Sequence, residues 1–385
     1  MFGKRITLFR ILGFEVHVDP SWLVLALLIS WTLATGLFPS QLKGLSQTTY
    51  WWMGVAGALG LFASILSHEF CHSLVAQQFG LPMKGITLFI FGGVAEMNEE
   101  PHSPKAEFFM AIAGPLSSIA LGFLFYASSA LFERLAIDAA VVAVIGYLAS
   151  INWILAIFNL LPAFPLDGGR VLRSILWHWK KSLRRATRIS SRIGEGFGIA
   201  FILLGLVNVL RGNLVGGLWQ SLIGMFLRSA AESSYRQVVV LGTLEGEPVS
   251  RFMNRQPVTA PPSISIRELV EHYVYRYHYK MFPVMEDDRV IGCITTRRIG
   301  EIPREEWDRR TVAEAADRCA IDSAVAPDAD TAKVLSLMGR TGKSRLMVMD
   351  GDRLLGIVSL KDIMGYVAAK SDLEAGGNGS DELPR

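Results

Sequence analysis

Residues 64–80 read SILSHEFCHSLVAQQFG, a stretch apolar enough to lie in a membrane although it carries two histidines and a glutamate. On a helix, His68 and His72 lie four residues apart on one face, where both imidazoles can reach one metal ion. Glu69 lies beside them, suited to accept a proton from a water molecule at that metal. The alternative is a chance match on a partly exposed polar face. Ionisable groups inside a span are costly unless they are paired or bind metal, so this HExxH motif predicts a functional site.

The composition of the whole chain is typical of an integral membrane protein. Hydrophobic residues make up 51% of the 385 residues and charged residues only 19%, and the mean hydropathy is +0.34. These values are too apolar for an ordinary soluble protein of this size. The net charge is only +3, and no basic stripe indicates a nucleic acid partner. Three cysteines without framework spacing argue against a disulfide scaffold.

Six apolar segments are candidates for membrane-spanning helices. They are residues 21–39, 51–79, 106–132, 139–162, 194–210 and 214–229. No small-residue cleavage site closes the first segment, so we expect a retained transmembrane helix and not a signal peptide. Between the fourth and fifth segments lies a strongly basic stretch: Arg170, Arg173, Lys180, Lys181, Arg184, Arg185, Arg188 and Arg192. Because Lys and Arg are retained on the cytoplasmic side, this stretch and both termini are predicted to be cytoplasmic.

The C-terminal part of the chain contains an internal repeat. KMFPVMEDDRVIGCITTRRI at 280–299 aligns without a gap to SRLMVMDGDRLLGIVSLKDI at 344–363. Each copy is expected to form a strand, a tight acidic turn, a second strand and the start of a helix. The two copies run from about 250–305 and 311–370 and predict a pseudosymmetric pair.

The predicted fold class is therefore a polytopic α-helical membrane protein with a C-terminal cytoplasmic α/β domain. About six transmembrane helices occupy residues 1–235, and the repeat occupies residues 236–370. The polar, glycine-bearing tail at 371–385 is predicted to be disordered.

A catalytic zinc ion needs three protein ligands and an open position. Asp167, in FNLLPAFPLDGGR at 158–170, is the candidate third ligand. The second and fourth spans both run inward in the predicted topology, so His68, His72 and Asp167 reach a comparable depth from the same side. The alternative for Asp167 is an ordinary surface aspartate in a helix-terminal turn beside Gly168.

Three features together resemble the site-2 protease family of intramembrane zinc metalloproteases, peptidase M50, in the prokaryotic branch that carries CBS domains. They are HEFCH at 68–72, NLLPAFPLDGG at 159–169, and a downstream repeat similar to a pair of CBS modules. The resemblance covers nearly the whole chain. It implies one zinc ion per chain, held by His68, His72 and Asp167.

The resemblance also implies roles for two catalytic residues. Glu69 matches the general base that activates water. Asn159 matches an asparagine that positions the substrate or stabilises the oxyanion; a helix-packing hydrogen bond is the alternative for this amide.

Residues 85–96, between the second and third spans, are rich in β-formers and contain Gly92 and Gly93. They predict a hairpin-like segment near the active site. A helical substrate must unwind before its carbonyl groups can be attacked, and the hairpin edge could pair with the extended strand. The alternative is a re-entrant or interfacial packing loop. Gly114-Pro115, in the third span, predicts a kink or a close helix contact.

Paired CBS domains bind adenine nucleotides in many proteins, in the cleft between the copies. Ser359 and Asp362 match the nucleotide signature in the second copy. In the first copy Arg298 stands where the aspartate belongs, and it is available to meet a phosphate instead. The alternative is a purely structural pair that forms a homodimer.

The sequence thus predicts a zinc protease that cuts a membrane protein in or near a transmembrane segment, under control of the CBS pair. The expected partners are the lipid bilayer and a single-pass or remnant transmembrane substrate. A first rival is a CBS-gated transporter or channel with an ion pathway at His68, Glu69 and His72, which leaves the Asp167 motif unexplained. A second rival is a non-catalytic membrane adaptor, against which the intact ligand set argues.

Overall fold

The computed structural model describes residues 6–11, 14–81, 83–89, 92–97, 101–287, 289–317 and 324–377. The chain divides into two compact units between Val238 and Val239. This point lies inside one helix, Leu214–Leu244, which also contains the predicted domain boundary at 235/236.

Helices make up most of the first unit. They are α1 Ser21–Thr32, α2 Phe38–Gln41, α3 Gln47–Gln78, α4 Pro104–Arg134, α5 Ala139–Asn159, α6 Asp167–Lys180, α7 Leu183–Leu210 and α8 Leu214–Leu244. The π-helical turn Leu33–Leu37 joins α1 to α2. Ser46, Ser103, Asp138 and Ser182 cap α3, α4, α5 and α7 by accepting hydrogen bonds from backbone N–H groups of the first turn.

Five helical stretches among the described residues are long and apolar enough to cross a membrane. They are Ser21–Gln41, Gln47–Gln78, Pro104–Arg134, Ala139–Asn159 and Leu183–Leu210. They coincide with the first five predicted spans, although α7 begins earlier than predicted and takes up part of the basic stretch.

The sixth predicted span, 214–229, forms the first half of α8. Its backbone comes very close to α7: a Cβ on Gly198 would lie 2.7 Å from the Gly224 carbonyl oxygen. Asn208 Nδ2 also donates a 2.7 Å hydrogen bond to Gln220 Oε1. Small residues and polar pairs between helices are typical of packed membrane helices. The count of six spans stays a prediction.

The burial pattern of the first unit is that of a protein facing lipid. Large apolar side chains such as Leu27, Leu203 and Leu210 lie exposed on the outside. Polar side chains are buried between the helices: Ser64, His68, His72, Ser73, Ser118 and Asn152. Polar groups inside a bilayer are stable only where the protein itself provides their partners.

A four-stranded sheet completes the first unit. It is formed by β1 Ile6–Ile11, β2 Phe14–Val18, β3 Met83–Phe89 and β4 Gly92–Met97, in that order. β2 and β3 are parallel, whereas β3 and β4 form an antiparallel hairpin that pairs Leu88 with Gly93. The structure thus confirms the predicted hairpin, and β4 is an edge strand of the sheet.

The second unit holds a five-stranded sheet of order β5-β6-β9-β8-β7. The strands are β5 Met281–Glu286, β6 Arg289–Thr295, β7 Ala324–Val325, β8 Arg345–Asp350 and β9 Arg353–Ser359. The helices are α9 Ile266–Leu269, α10 Tyr275–Tyr277, α11 Thr296–Gly300, α12 Val312–Ala315, α13 Thr331–Thr341 and α14 Leu360–Gly377. α14 enters the predicted disordered tail, and residues 378–385 lie outside the described residues.

The two hairpins of the second unit confirm the internal repeat. β5 pairs with β6 and β8 with β9, both antiparallel. Their registers shift at equivalent points, between Val284 and Met285 in the first and between Val348 and Met349 in the second. Each copy has its own apolar core, one around Phe282 and one around Leu346.

Candidate metal centre

Three side chains that are distant in sequence converge in the first unit. His68 and His72 belong to α3, and Asp167 is the first residue of α6. Asp167 Oδ2 lies 3.0 Å from His68 Nε2 and 3.2 Å from His72 Nε2, and the two nitrogens are 3.1 Å apart. Among the described residues, this is the group of side chains found with the composition and spacing of a metal site.

The two histidines are held by their other ring nitrogens. His68 Nδ1 lies 2.9 Å from the Ser118 hydroxyl, and His72 Nδ1 donates to the Met110 carbonyl at 2.6 Å. Both partners belong to α4. Because a carbonyl only accepts, the proton of neutral His72 is on Nδ1, and its Nε2 lone pair points toward Asp167 and His68. Such outer hydrogen bonds orient a histidine for metal binding.

Asp167 reaches the histidines through a tightly folded turn. A Cβ on Gly168 would lie 2.2 Å from the Leu160 carbonyl oxygen, and one on Gly169 would lie 2.3 Å from the Phe164 nitrogen. The two glycines after Asp167 are therefore required by close backbone contacts. The Asp167 side chain is 14% exposed, so it is not the surface aspartate of the alternative interpretation.

The donor set fits a zinc ion. Zinc bonds of about 2.0–2.1 Å in a tetrahedron place neighbouring ligand atoms about 3.3 Å apart. The three separations of 3.0–3.2 Å are close to this value. Two neutral imidazoles and one carboxylate would supply three protein ligands, which is the number in a catalytic zinc site.

Gly114 of α4 faces the Nε2 atoms of His68 and His72. A Cβ at this position would lie 2.2 Å from His72 Nε2 and 2.6 Å from His68 Nε2. The close contact that Gly114-Pro115 predicted is thus a contact with the two histidines. α4 packs against the site only because residue 114 has no side chain.

Glu69 follows His68 on α3 and is half-buried. The backbone of β4 runs past it, since a Cβ on Gly93 would lie 2.7 Å from Glu69 Cγ. The edge strand of the sheet is therefore adjacent to the predicted general base.

Asn159 ends α5 and is half-buried. Another asparagine of α5, Asn152, is fully buried and was missed by the sequence analysis. Asn152 Nδ2 donates to Ser64 Oγ at 2.9 Å, one helical turn before His68. An amide inside an apolar span is the signal that could have identified it.

Arg173 is buried, whereas the sequence analysis grouped it with the basic stretch between the fourth and fifth spans. It was counted with the basic cytoplasmic stretch, but it is 2% exposed and forms an ion pair with the fully buried Glu107 of α4. Arg173 was not recognised because the residues around it are also basic. Glu107 could have been recognised, because an acid at the start of an apolar span indicates a buried partner.

In the second unit, Ser359 and Asp362 lie at the start of α14. Ser359 Oγ donates to Asp362 Oδ2 at 2.5 Å, and the Asp362 N–H donates to Ser359 Oγ at 3.2 Å. In the first copy, Arg298 Nη1 lies 3.1 Å from Glu301 and Arg298 Nε lies 3.6 Å from Asp317. Arg298 is therefore close to two carboxylates.

Both units of the chain are similar to known proteins. The model of peptidase family M50 matches residues 56–134 and 130–204, and the CBS domain model matches residues 249–301 and 322–369. Rip3 of Mycobacterium tuberculosis is 34% identical over 360 residues, 93% of this chain and 91% of the relative.

A curated protein and a solved structure from Methanocaldococcus jannaschii are also similar. Zinc metalloprotease MJ0392 is 30% identical over 364 residues, 93% of this chain and 95% of the relative. The solved site-2 protease is 28% identical and covers 60% of this chain and 94% of its own, with a TM-score of 0.41. The relatives imply zinc as the metal. The chain belongs to peptidase family M50, as a CBS-containing membrane metalloendopeptidase of the site-2 protease type, the family that performs regulated intramembrane proteolysis.

Proposed function

We propose that His68, His72 and Asp167 hold one zinc ion per chain and that Glu69 is the general base for hydrolysis of a peptide bond in or near a transmembrane segment. The convergence of three ligand atoms within 3.0–3.2 Å of one another carries the proposal. When bound, zinc supplies Lewis acidity and lowers the pKa of water. Glu69 accepts the proton of the attacking water and passes it to the leaving amine. Asn159 positions the substrate or stabilises the oxyanion.

The edge strand β4 is proposed to hold the unwound substrate. Among the described residues, β3 is the strand that pairs with β4, and Gly93 brings β4 against Glu69. An added strand would satisfy the backbone hydrogen-bonding groups that the substrate exposes when its helix unwinds. The substrate class is a single-pass or remnant transmembrane protein.

The basic stretch, both termini and the CBS pair are proposed to be cytoplasmic. Six cations between the end of α6 and the middle of α7 are exposed: Lys180, Lys181, Arg184, Arg185, Arg188 and Arg192. Buried Arg173 does not contribute to this exposed charge. The six exposed cations are still enough to favour a cytoplasmic location, because Lys and Arg are retained on that side.

Zinc content tests the site. We expect about one zinc ion per chain in the detergent-purified wild type, and loss of most of it in both His68→Ala and Asp167→Ala, because each removes one of three ligands. Metal is measured by elemental analysis on protein shown to be folded by circular dichroism. Folded wild type without zinc under metal-replete conditions would contradict the proposal and favour the transporter.

The CBS pair is proposed to bind an adenine nucleotide through Ser359 and Asp362 and to form a homodimer. We expect calorimetry on the full chain to detect ATP or AMP, and Asp362→Ala to weaken binding at least about 10-fold, since the carboxylate would hold the ribose hydroxyls by charge-assisted hydrogen bonds. The exposed Asp352, in the turn between β8 and β9, provides the matched control Asp352→Ala. Absence of binding at millimolar nucleotide would contradict the proposal. Ser359 and Asp362 would then serve only as the hydrogen-bonded cap of α14.

A further inference from the structure

A buried ion pair joins α4 to α6 next to the metal centre. Arg173 Nε donates to Glu107 Oε1 at 2.5 Å, and Nη2 approaches the same oxygen. Glu107 is 0% and Arg173 2% exposed. The Arg173 guanidinium also lies 5.0 Å from the centre of the Phe164 ring, in the turn that leads to Asp167. Arg173 therefore fixes both α6 and the turn before it.

One face of α4 contacts both histidines and the helix that carries Asp167. Glu107 binds Arg173, the Met110 carbonyl binds His72, and the Ser118 hydroxyl binds His68. Asp167 is six residues before Arg173 on α6, about 9 Å along the helix axis. The histidines and the aspartate lie on different helices, and α4 is the element that holds both sets.

The energetics of the pair indicate a geometric role. Burying two charges costs several kcal/mol of desolvation, and a well-packed apolar pair is often as stable or more stable. What an apolar pair does not provide is the directional contact of the fork-shaped guanidinium, whose Nε and Nη2 both meet Glu107 Oε1. Such a fork sets the rotation and the height of α6 on α4, and with them the position of the Asp167 carboxylate.

We propose that Glu107 and Arg173 are positioning residues that align Asp167 with His68 and His72 and thereby raise the affinity for zinc. The proposal rests on the zinc site proposed above and adds residues that do not themselves contact the metal. Part of the zinc affinity then depends on an ion pair that does not itself bind the metal.

Zinc affinity, measured by chelator competition below the unfolding temperature of each variant, tests the proposal. We expect Glu107→Gln to weaken binding about 10–100-fold, the usual effect of removing an outer partner. Arg173→Lys should have a smaller effect, because lysine keeps the charge but not the fork. Glu232→Gln is the control, since it breaks the exposed Glu232–Arg236 pair on α8.

A double variant separates positioning from packing. Glu107→Leu with Arg173→Met replaces the pair by apolar side chains and is expected to retain or restore thermal stability while zinc affinity stays low. Wild-type affinity in this folded double variant would overturn the proposal. The double variant also keeps the test decisive if a single variant fails to fold.

Cobalt provides an independent readout of ligand geometry. Bound to the wild type, Co²⁺ should give the intense visible absorption of tetrahedral coordination, and Glu107→Gln should weaken or shift this absorption. An unchanged spectrum together with unchanged zinc affinity would refute the positioning role alone. A wild type that binds neither metal would refute the proposed zinc site itself.

Discussion

Replacing Gly114 with alanine is expected to abolish zinc binding and with it all proteolysis. The new Cβ would lie 2.2 Å from His72 Nε2 and 2.6 Å from His68 Nε2, far inside van der Waals contact. The rings cannot turn away without losing their hydrogen bonds to Met110 and Ser118. Because both coordinating nitrogens are affected, the loss of zinc affinity should exceed the about 10–100-fold effect of removing an outer partner.

Gly196→Ala is the matched control for this substitution. Gly196 lies on another membrane helix, α7, and a Cβ there would have no neighbour within 4 Å. This control should keep about one zinc ion per chain, while Gly114→Ala, verified as folded, should keep almost none. A folded Gly114→Ala protein with wild-type zinc affinity would show that the histidines do not bind the metal through Nε2.

Replacing Glu69 with glutamine is expected to reduce cleavage by about 10²–10⁴-fold, the usual contribution of a general base, and to leave zinc content unchanged. Glutamine has nearly the shape of glutamate but cannot accept the proton. Gly93→Ala should act on the same carboxylate from the other side, because its Cβ would lie 2.7 Å from Glu69 Cγ.

The assay uses a panel of single-pass transmembrane segments reconstituted with the enzyme in liposomes, and mass spectrometry maps the new termini. Wild type and Gly196→Ala should cleave the same segments at equal rates. Cleavage by Glu69→Gln at the wild-type rate would remove Glu69 from the mechanism. Ion flux through wild-type liposomes without any cleaved segment would favour the transporter.

Several parts of the fold and of the site could be predicted from the sequence because they depend on residues that are close together in the chain. The spacing of His68 and His72 places both on one helix face whatever the rest of the fold does. The repeated pattern of strand, turn and strand likewise predicted the two hairpins of the second unit, which have equivalent registers. The β-rich segment with Gly92 and Gly93 predicted a hairpin, which the structure confirms.

Other parts depend on contacts between distant segments. Glu107 and Arg173 are 66 residues apart, and Arg173 looked like one more cytoplasmic cation because its neighbours are basic. Gly114 looked like a kink or helix contact, and its neighbours are the Nε2 atoms of His68 and His72. Asn152 looked like part of an apolar span.

The sequence alone determined the apolar helices, the HExxH helix and the CBS repeat, since apolar runs, residue spacing and repeated segments can each be read directly from the chain. The tertiary structure decided that Asp167 meets the two histidines, that β4 passes Glu69, and that α4 contacts both histidines and the helix that begins at Asp167. These contacts depend on how whole helices pack. Packing is set by glycines and buried polar pairs whose partners lie far away in the sequence.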